Sequence, residues 1–310
     1  MQSQHSDRRT RARWSLEGLS VGDAFGERLM RKSHTFRVRL LAGLEDARHL
    51  PSGGWEYTDD TQMALSIVET LVKHGTMDQD QLARSFGEHF EPRRGYGMAM
   101  YELLPRLQAG QPWQTAARGL FAGAGSFGNG AAMRVAPLGA FFADDLAAAV
   151  EQARRSAEVT HAHPEASAGA IAVAVAVACA WRLRGAAQLL RGPSFLDQVL
   201  PHIPASQVRA GVAQARALAP SSSVREAVLA LGNGSRVTAQ DTVPFVLWCA
   251  AQHLNNYVEA LWLTASGLGD VDTTCAMVGG IVAAYTGLEG IPAEWLRQRE
   301  PLPAWPFLNT

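Results

Sequence analysis

The sequence is short of cysteine and carries no excess of either charge. Its 310 residues include three cysteines, 28 Lys and Arg residues, and 29 Asp and Glu residues. The three cysteines, Cys179, Cys249 and Cys275, stand in apolar surroundings, which argues against a disulfide framework or a zinc site and favours small core residues. We therefore expect a reducing, cytoplasmic location. The charge balance argues against a general polyanion-binding protein.

Long apolar stretches are also missing. Residues 1–7 are polar and lack the apolar segment of a secretory signal. The longest uncharged run, Ala166 to Trp181, is shorter than a membrane-spanning helix, so we expect it to be buried in protein and expect no membrane partner. Valine alternates with alanine within this run, which would also fit a strand. Its length and alanine content favour a helix.

The sequence shows no convincing alternating strand, no internal repeat and no linker. Apolar residues recur instead at helical spacing along most of the chain, which predicts an all-α fold. We expect residues 14–310 to form one domain and the arginine-rich residues 1–13 to form a flexible arm. The polar stretch from Ala219 to Arg236 is the expected surface excursion. Helices are predicted over residues 14–24, 61–74, 78–90, 98–107, 146–158, 164–183, 195–200, 207–218, 223–231, 242–251, 256–266 and 274–285.

Two short acidic clusters are the most informative feature. The first is Thr58-Asp59-Asp60-Thr61 and the second is Asp270-Val271-Asp272-Thr273. Each offers two carboxylates and a hydroxyl, next to a glycine-containing turn and ahead of an apolar helical pattern. Oxygen ligands of this kind suit Mg²⁺, Mn²⁺ or Ca²⁺ rather than zinc. The alternative is that both clusters only cap helices, because Asp and Thr are favoured at helix N-termini.

A glycine-rich segment and two histidines add weaker signals. Four glycines occur within residues 123–130, and such a loop before a helix suits an anion, although a plain turn would have the same composition. The segment lacks the Lys of a phosphate-binding Walker loop. His161 and His163 have no third nitrogen or sulfur ligand nearby that would complete a zinc site. We expect His161 to form hydrogen bonds near a ligand and His163 to be an ordinary loop residue or the start of a helix.

These segments together resemble the ADP-ribosylglycohydrolase family. The resemblance covers about residues 16–287 and consists of five blocks in the same order. The blocks are Gly18 to Gly26, Tyr57 to Thr61, Gly125 to Arg134 with Pro137-Leu138-Gly139, Thr160-His161 with Pro164, and Gly269 to Thr273.

The resemblance implies a compact, single-domain, all-α orthogonal helical bundle with two Mg²⁺ or Mn²⁺ ions at the base of a cleft. It implies that metal is held by Thr58, Asp59, Asp60, Asp270, Asp272 and Thr273. It implies that Gly125, Ser126, Phe127, Gly128 and Asn129 surround the diphosphate and ribose of ADP-ribose, with His161 nearby. Phe121 matches an aromatic residue that stacks on adenine in some relatives, although a core aromatic is the alternative.

The implied reaction is hydrolysis of the glycosidic bond that joins ADP-ribose to an acceptor. Such hydrolysis needs an acid or base carboxylate, for which Asp60 and Asp272 are equal candidates. Relatives often carry a mobile glutamate where this chain has Met30, and Glu27 is the expected substitute. Leu268 stands where a glycine is usual.

Two other functions remain open at this point. One is a catalytically silent relative that binds ADP-ribose or has a structural role. The other is a different dinuclear-metal hydrolase that acts on nucleotide-like substrates. The expected partners are an ADP-ribosylated protein or another ADP-ribosylated acceptor, nucleic acid included, with ADP-ribose as the product.

Overall fold

The computed structural model describes residues 2–30, 48, 53–186 and 190–308. Within these ranges the chain contains no β-strand, and only two isolated bridges occur, Trp55 with Arg299 and Gly128 with Thr238. The all-α prediction is therefore confirmed. The helices are α1 (Gln2–Met30), α2 (Asp59–His74), α3 (Gln79–Glu88), α4 (Met98–Gln108), α5 (Trp113–Gly119), α6 (Gly130–Met133), α7 (Ala136–Phe141), α8 (Leu146–Glu158), α9 (Pro164–Arg182), α10 (Pro193–Val199), α11 (Gln207–Ala217), α12 (Val224–Leu231), α13 (Ala239–Gln252), α14 (Tyr257–Ser266), α15 (Val271–Thr286) and α16 (Ala293–Gln298).

The long apolar run of the sequence lies in α9, at the centre of the bundle. The helix is long and apolar enough to cross a membrane by length and composition, but most of it is buried inside the protein. Its Val173, Val175 and Val177 are fully buried. Helix α9 contacts α8, α7, α15 and α13. The prediction of a buried helix is confirmed, and the alternative of a strand is wrong.

Residues 2–13 are helical, which corrects the expectation of a flexible arm over residues 1–13. Helix α1 begins at Gln2. Arg11 is 5% exposed and its Nη2 donates to Asp144 Oδ2 at 2.6 Å, while Ala12 is buried. Hydrogen bonds from Arg11 lower the pKa of Asp144 to about 2. Charge alone suggested a solvated tail, but the arginines have an acidic partner far along the chain.

Helix α1 lies directly against α15 because a row of glycines faces that helix. A Cβ on Gly18 would lie 2.2 Å from Ala283 Cβ, and a Cβ on Gly22 would lie 2.2 Å from the Cys275 carbonyl oxygen. A Cβ on Gly26 would lie 2.5 Å from Asp272 Cα. The two backbones therefore pack without intervening side chains. This close approach brings the end of α1 against the start of α15, where the second acidic cluster lies.

Candidate active site

The two acidic clusters and the glycine-rich loop open onto one cavity. Its volume is about 910 Å³, within the range of roughly 300–1,000 Å³ that is usual for small-molecule sites. The floor includes Asp59, Asp270 and Asp272, and the adjoining wall is formed by the loop from Ser126 to Gly130 and by His161. Two parts of the chain more than two hundred residues apart thus share one site.

The first cluster is organised around Asp23, a fully buried carboxylate at the end of α1. Asp23 Oδ2 accepts hydrogen bonds from the backbone nitrogens of Thr58 at 2.9 Å and Thr61 at 3.1 Å. The hydroxyls of Thr58 and Thr61 also donate to the Asp23 carboxylate, at 2.8 and 2.6 Å. Burial raises the pKa of Asp23 to about 6, and these hydrogen bonds oppose the rise. Asp23 therefore fixes the turn from which Asp59 and Asp60 project.

The two clusters meet at Asp60. Its Oδ2 lies 3.0 Å from Thr58 Oγ1 and 3.4 Å from Thr273 Oγ1, so it touches hydroxyls of both clusters. Asn129, from the glycine-rich loop, donates its Nδ2 to Asp270 Oδ2 at 2.8 Å. Hydrogen bonds thus connect Thr58, Asp60 and Thr273 across the two clusters, and Asp270 of the second cluster to the loop.

Neighbouring negative charges strain this group electrostatically. Burial raises the pKa of Asp59 to about 8, and the charge of Asp23 adds to the rise. The pKa values of Asp60 and Asp272 are raised well above their usual range, again by burial first and then by neighbouring carboxylates. Burial also raises the pKa of Asp270. Burial and mutual repulsion thus both disfavour the charged form of these carboxylates, and a bound divalent cation would offset both effects.

One buried oxygen of the group has no partner. Asp60 Oδ1 is buried and makes no hydrogen bond with the described residues. An oxygen-only set with an orphaned carboxylate oxygen and raised pKa values fits a hard divalent cation. In the described ranges, however, no three His, Cys, Asp or Glu side chains converge on one point as a formed metal site would require. The donor set thus fits a cation, but the described side chains are not closed around one.

Helix capping does not account for the clusters. Thr58 and Asp270 are the N-cap residues of α2 and α15, yet neither side chain makes a capping hydrogen bond. Asp78 shows the contrast, because its side chain accepts from the nitrogens of Asp80 and Gln81 and caps α3. The capping interpretation therefore explains where the residues lie, but not where their side chains point.

The glycine-rich loop has a fixed shape with free donors. Gly125 has φ +72°, and Ser126 Oγ accepts from the nitrogen of Gly128 at 3.1 Å. The Phe127 carbonyl accepts from Ala239 N at 3.0 Å. No hydrogen bond of the described residues uses the backbone N–H groups of Ser126 and Phe127. These two N–H groups are available to an anion in the cavity.

The two histidines separate as the sequence predicts. His161 is 4% exposed, lines the cavity and lies with its Nδ1 2.7 Å from Thr160 Oγ1. Burial lowers its pKa to about 3, with a further contribution from Arg134, so the ring is neutral. His163 is the N-cap of α9, and its side chain accepts from Glu165 N. The prediction for His163 is confirmed.

The remaining predicted site residues are Phe121, which lines the cavity, and Glu27, which does not. Phe121 is 59% exposed and lines the cavity with Phe127, so the alternative of a core aromatic is wrong. Glu27 is part-buried within α1 and is not among the described residues that line the cavity. Its catalytic role stays a prediction. Helix α1 is continuous from Gly26 to Met30, and Gly26 packs closely against α15.

Leu268 occupies a turn that favours glycine. Its φ is +55°, which costs a residue with a side chain about 1–2 kcal/mol. The following residues, Gly269 and Asp270, keep their place against Asn233, whose carbonyl accepts from Asp270 N at 3.3 Å. The leucine therefore strains the turn without removing a ligand, as expected.

Three functional elements were missed in the sequence. Asp23 was recognised only as part of a matching block, and Arg134 only as the end of one. The third is the loop 232–238, whose first part belongs to the expected surface excursion from Ala219 to Arg236, yet Asn233 O accepts from Asp270 N at 3.3 Å and Val237 O accepts from Asn129 N at 3.2 Å. This loop joins the glycine-rich loop to the second acidic cluster. A buried charge inside an apolar helix would have been a usable signal for Asp23, but no local pattern marked the other two.

Comparison with known proteins identifies the family of the chain. The chain matches the ADP-ribosylglycohydrolase family over residues 4–305. It is 31% identical over 333 residues to the ADP-ribosylhydrolase ARH3 of Gallus gallus, covering 92% of this chain and 88% of that protein. It is 30% identical to ARH3 of Homo sapiens over 338 residues, covering 94% and 89%.

A bacterial relative and a solved structure extend the comparison. The ADP-ribosylarginine hydrolase Tri1 of Pseudomonas putida (strain GB-1) is 29% identical over 306 residues, covering 93% of this chain and 74% of that protein. A solved chain described as an ADP-ribosylglycohydrolase-related protein complex has a TM-score of 0.60 and 29% identity, and the match covers 97% of this chain and 94% of that chain.

Proposed function

The chain belongs to the ADP-ribosylglycohydrolase family, and we propose that it is a metal-dependent hydrolase that releases ADP-ribose from an ADP-ribosylated acceptor. The hydrolase activity agrees with its relatives, which are named ADP-ribosylhydrolase and ADP-ribosylarginine hydrolase. The metal dependence rests on the chemistry of the acidic clusters. Its main support is Asp60 Oδ1, a buried oxygen that makes no hydrogen bond with the part of the chain that the structure describes.

The observation that carries the proposal is the shared cavity. One end presents the carboxylates of Asp59, Asp270 and Asp272, and the other presents the loop from Ser126 to Gly130 with His161. A diphosphate fits the free N–H groups of the loop, while the exposed Phe121 offers a face to an adenine ring. The ribose that carries the scissile bond then lies nearest the carboxylates.

Divalent cations, Mg²⁺ or Mn²⁺, would be held by the six oxygen-bearing residues of the two clusters. These are Thr58, Asp59, Asp60, Asp270, Asp272 and Thr273. At such a site a pair of divalent cations supplies charge stabilisation and a more acidic water. Asp23 supports the set from behind, because it holds the backbone and hydroxyls of Thr58 and Thr61.

The hydrolytic step needs one carboxyl group that moves a proton. Water forms a bond to the anomeric carbon, the C–N or C–O bond to the acceptor breaks, and the acceptor leaves with a proton. Asp272 lines the cavity, whereas Asp60 is 1% exposed and does not. We therefore favour Asp272 for the proton transfer and Asp60 for support of the cation site.

The test is the release of free ADP-ribose from a panel of singly modified substrates. The panel carries ADP-ribose on arginine, on serine, on a nucleic-acid terminus and as O-acetyl-ADP-ribose. We expect release from at least one substrate, and loss of that release in Asp272→Ala. An Asp197→Ala variant is the matched control, because Asp197 is an exposed carboxylate paired with Arg216 away from the cavity.

Two results would contradict the proposal. Binding of ADP-ribose without release from any substrate would indicate a catalytically silent relative. Hydrolysis of a nucleotide phosphate ester, with no glycosidic cleavage, would indicate another dinuclear-metal hydrolase.

A further inference from the structure

Arg134 is a fully buried cation directly behind the substrate side of the cavity. It is 0% exposed, and no Asp or Glu of the described residues lies within ion-pair distance of it. Its guanidinium carbon lies 4.5 Å from the centroid of the Phe86 ring, and its Nη1 lies 3.7 Å from Met63 Sδ. An arginine buried without an ion-pair partner is costly, so its remaining contacts call for an explanation.

Those contacts lead to His161. Arg134 Nη2 donates to the Ser156 carbonyl at 3.0 Å and to Thr160 Oγ1 at 2.9 Å. Thr160 Oγ1 in turn lies 2.7 Å from His161 Nδ1. All these groups are buried, so the three side chains form an ordered chain of hydrogen bonds away from bulk water.

Among the described residues Thr160 Oγ1 has two hydrogen-bond partners, Arg134 Nη2 and His161 Nδ1, and only one arrangement gives the Thr160 hydroxyl hydrogen an acceptor. A guanidinium has no acceptor, so Thr160 Oγ1 must accept from Arg134. The single hydroxyl hydrogen of Thr160 is then free to donate to His161 Nδ1. Nδ1 accepts that bond without a proton of its own, and a neutral ring must carry its proton on Nε2.

The Nε2 side of the ring faces the glycine-rich loop. A Cβ on Gly130 would lie 2.9 Å from Nε2, and a Cβ on Gly128 would lie 3.3 Å from it. Among the described residues Nε2 makes no hydrogen bond. An N–H donor is therefore presented to the cavity beside the free N–H groups of Ser126 and Phe127.

We propose that Arg134 and Thr160 are positioning residues that fix His161 as the Nε2–H tautomer, so that it donates a hydrogen bond to the anionic part of the substrate. The inference rests on the proposed function only for the identity of that anion, the diphosphate of ADP-ribose. The tautomer itself follows from the protein's own hydrogen bonds. The arrangement also leaves His161 polar but uncharged, because the positive charge lies on Arg134, which Thr160 separates from the ring.

The first experiment observes the tautomer without any ligand. Imidazole nitrogen NMR of the labelled full-length protein identifies the His161 signals as those missing in His161→Gln. We expect a pyrrole-type Nε2 and a pyridine-type Nδ1, unchanged between about pH 5 and about pH 8. A protonated Nδ1, in either a neutral or a charged ring, would overturn the proposal whether or not the protein binds ADP-ribose.

The second experiment measures ADP-ribose affinity by calorimetry. Thr160→Val removes the hydroxyl and nearly keeps the side-chain shape, and we expect it to bind ADP-ribose about tenfold more weakly than the parent. Thr160→Ser keeps the hydroxyl and should bind ADP-ribose within about threefold of the parent. In a His161→Gln background, Thr160→Val should add less than about twofold. A full tenfold loss in that background, or equal losses for Val and Ser, would mean that Thr160 does not act through His161.

The two proposals fail in different ways. If the parent protein binds no ADP-ribose, the proposed function fails, while the NMR result still decides the tautomer. If the parent binds and hydrolyses its substrate but carries the proton on Nδ1, the positioning role fails and the function stands.

Discussion

The two ends of the cavity differ in charge and in hydrogen bonding. The acidic end consists of Thr58 to Thr61 and Asp270 to Thr273, with Asp23 behind them. It brings buried carboxylates close together, and Asp60 Oδ1 has no hydrogen-bond partner among the described residues. The loop end, Gly125 to Gly130 with His161, is held by hydrogen bonds within the protein and faces the cavity with uncharged donors.

This difference indicates what each end requires. Crowded carboxylates with raised pKa values become stable as anions only when positive charge arrives from outside. Donors already fixed by the fold need no further component before a ligand binds. The acidic end is therefore expected to depend on a cation, and the loop end to be formed in its absence.

The largest effect is expected from removal of a carboxylate at the acidic end. Asp60→Ala and Asp272→Ala should each lower turnover by about 100-fold or more, because each deletes a charged oxygen of the cation site. The rate of ADP-ribose release measures this, with Asp197→Ala as the control. Full turnover of an Asp60→Ala, Asp272→Ala double variant would remove the acidic end from the mechanism.

The support that Asp23 gives to the acidic end should appear as a contribution to the free energy of unfolding. Asp23→Ala removes the acceptor of the Thr58 and Thr61 backbone nitrogens and of the Thr61 hydroxyl, and we expect a loss of about 2–3 kcal/mol in the free energy of unfolding. Asp23→Asn keeps one acceptor oxygen and should lose less. Denaturant unfolding measures both variants, and parent-like stability of Asp23→Ala would contradict the supporting role.

The loop end should respond to pH through His161. Its folded-state pKa is about 3 against about 6.5 when unfolded, so the folded protein binds fewer protons between these values. The stability contributed by the neutral ring is present above about pH 6.5 and is lost as pH falls through the window toward pH 3, on the order of 2 kcal/mol by pH 5. His161→Gln should show a shallower fall in unfolding free energy. Parallel curves for the parent and the variant would contradict the buried neutral histidine.

A smaller effect is expected at Gly128, where a side chain would meet Ser126 Oγ at 3.2 Å and His161 Nε2 at 3.3 Å. Gly128→Val should weaken ADP-ribose binding by about tenfold, or ~1.4 kcal/mol, because it fills the space next to the loop donors. The reason is contact rather than backbone strain, since φ is positive at Gly125 and not at Gly128. Gly54→Val is the control, because no atom lies within 4 Å of its Cβ position. Equal affinities for both variants would place the anion elsewhere.

The fold was largely predictable from local patterns. Helical spacing gave α8 with the bounds that the structure has, Leu146–Glu158, and placed α9 within one residue. The start of α1 was missed because the arginines of the N-terminus find their partner at Asp144, which no local pattern reveals. Ion pairs between residues so distant in the chain leave no local pattern in the sequence.

The site was predictable where chemistry is concentrated in a few adjacent residues. The acidic clusters, the glycine-rich loop and His161 were found because each stands out locally. Asp23, within α1, and Arg134, at the C-cap of α6, were missed because each contacts residues distant in the chain. The role of the loop 232–238 likewise depends on contacts with Asn129 and Asp270 that only the folded chain creates.

The dependence of turnover on divalent cations tests the central comparison most directly. ADP-ribose release from a responsive substrate is measured before chelation, after treatment with EDTA, and after Mg²⁺ or Mn²⁺ is restored, with unfolding monitored to verify that the protein stays folded. We predict that chelation lowers turnover by about 100-fold or more and that added cation restores it, because the acidic end cannot function as crowded carboxylates alone. Undiminished turnover of the folded, metal-stripped protein would contradict the account.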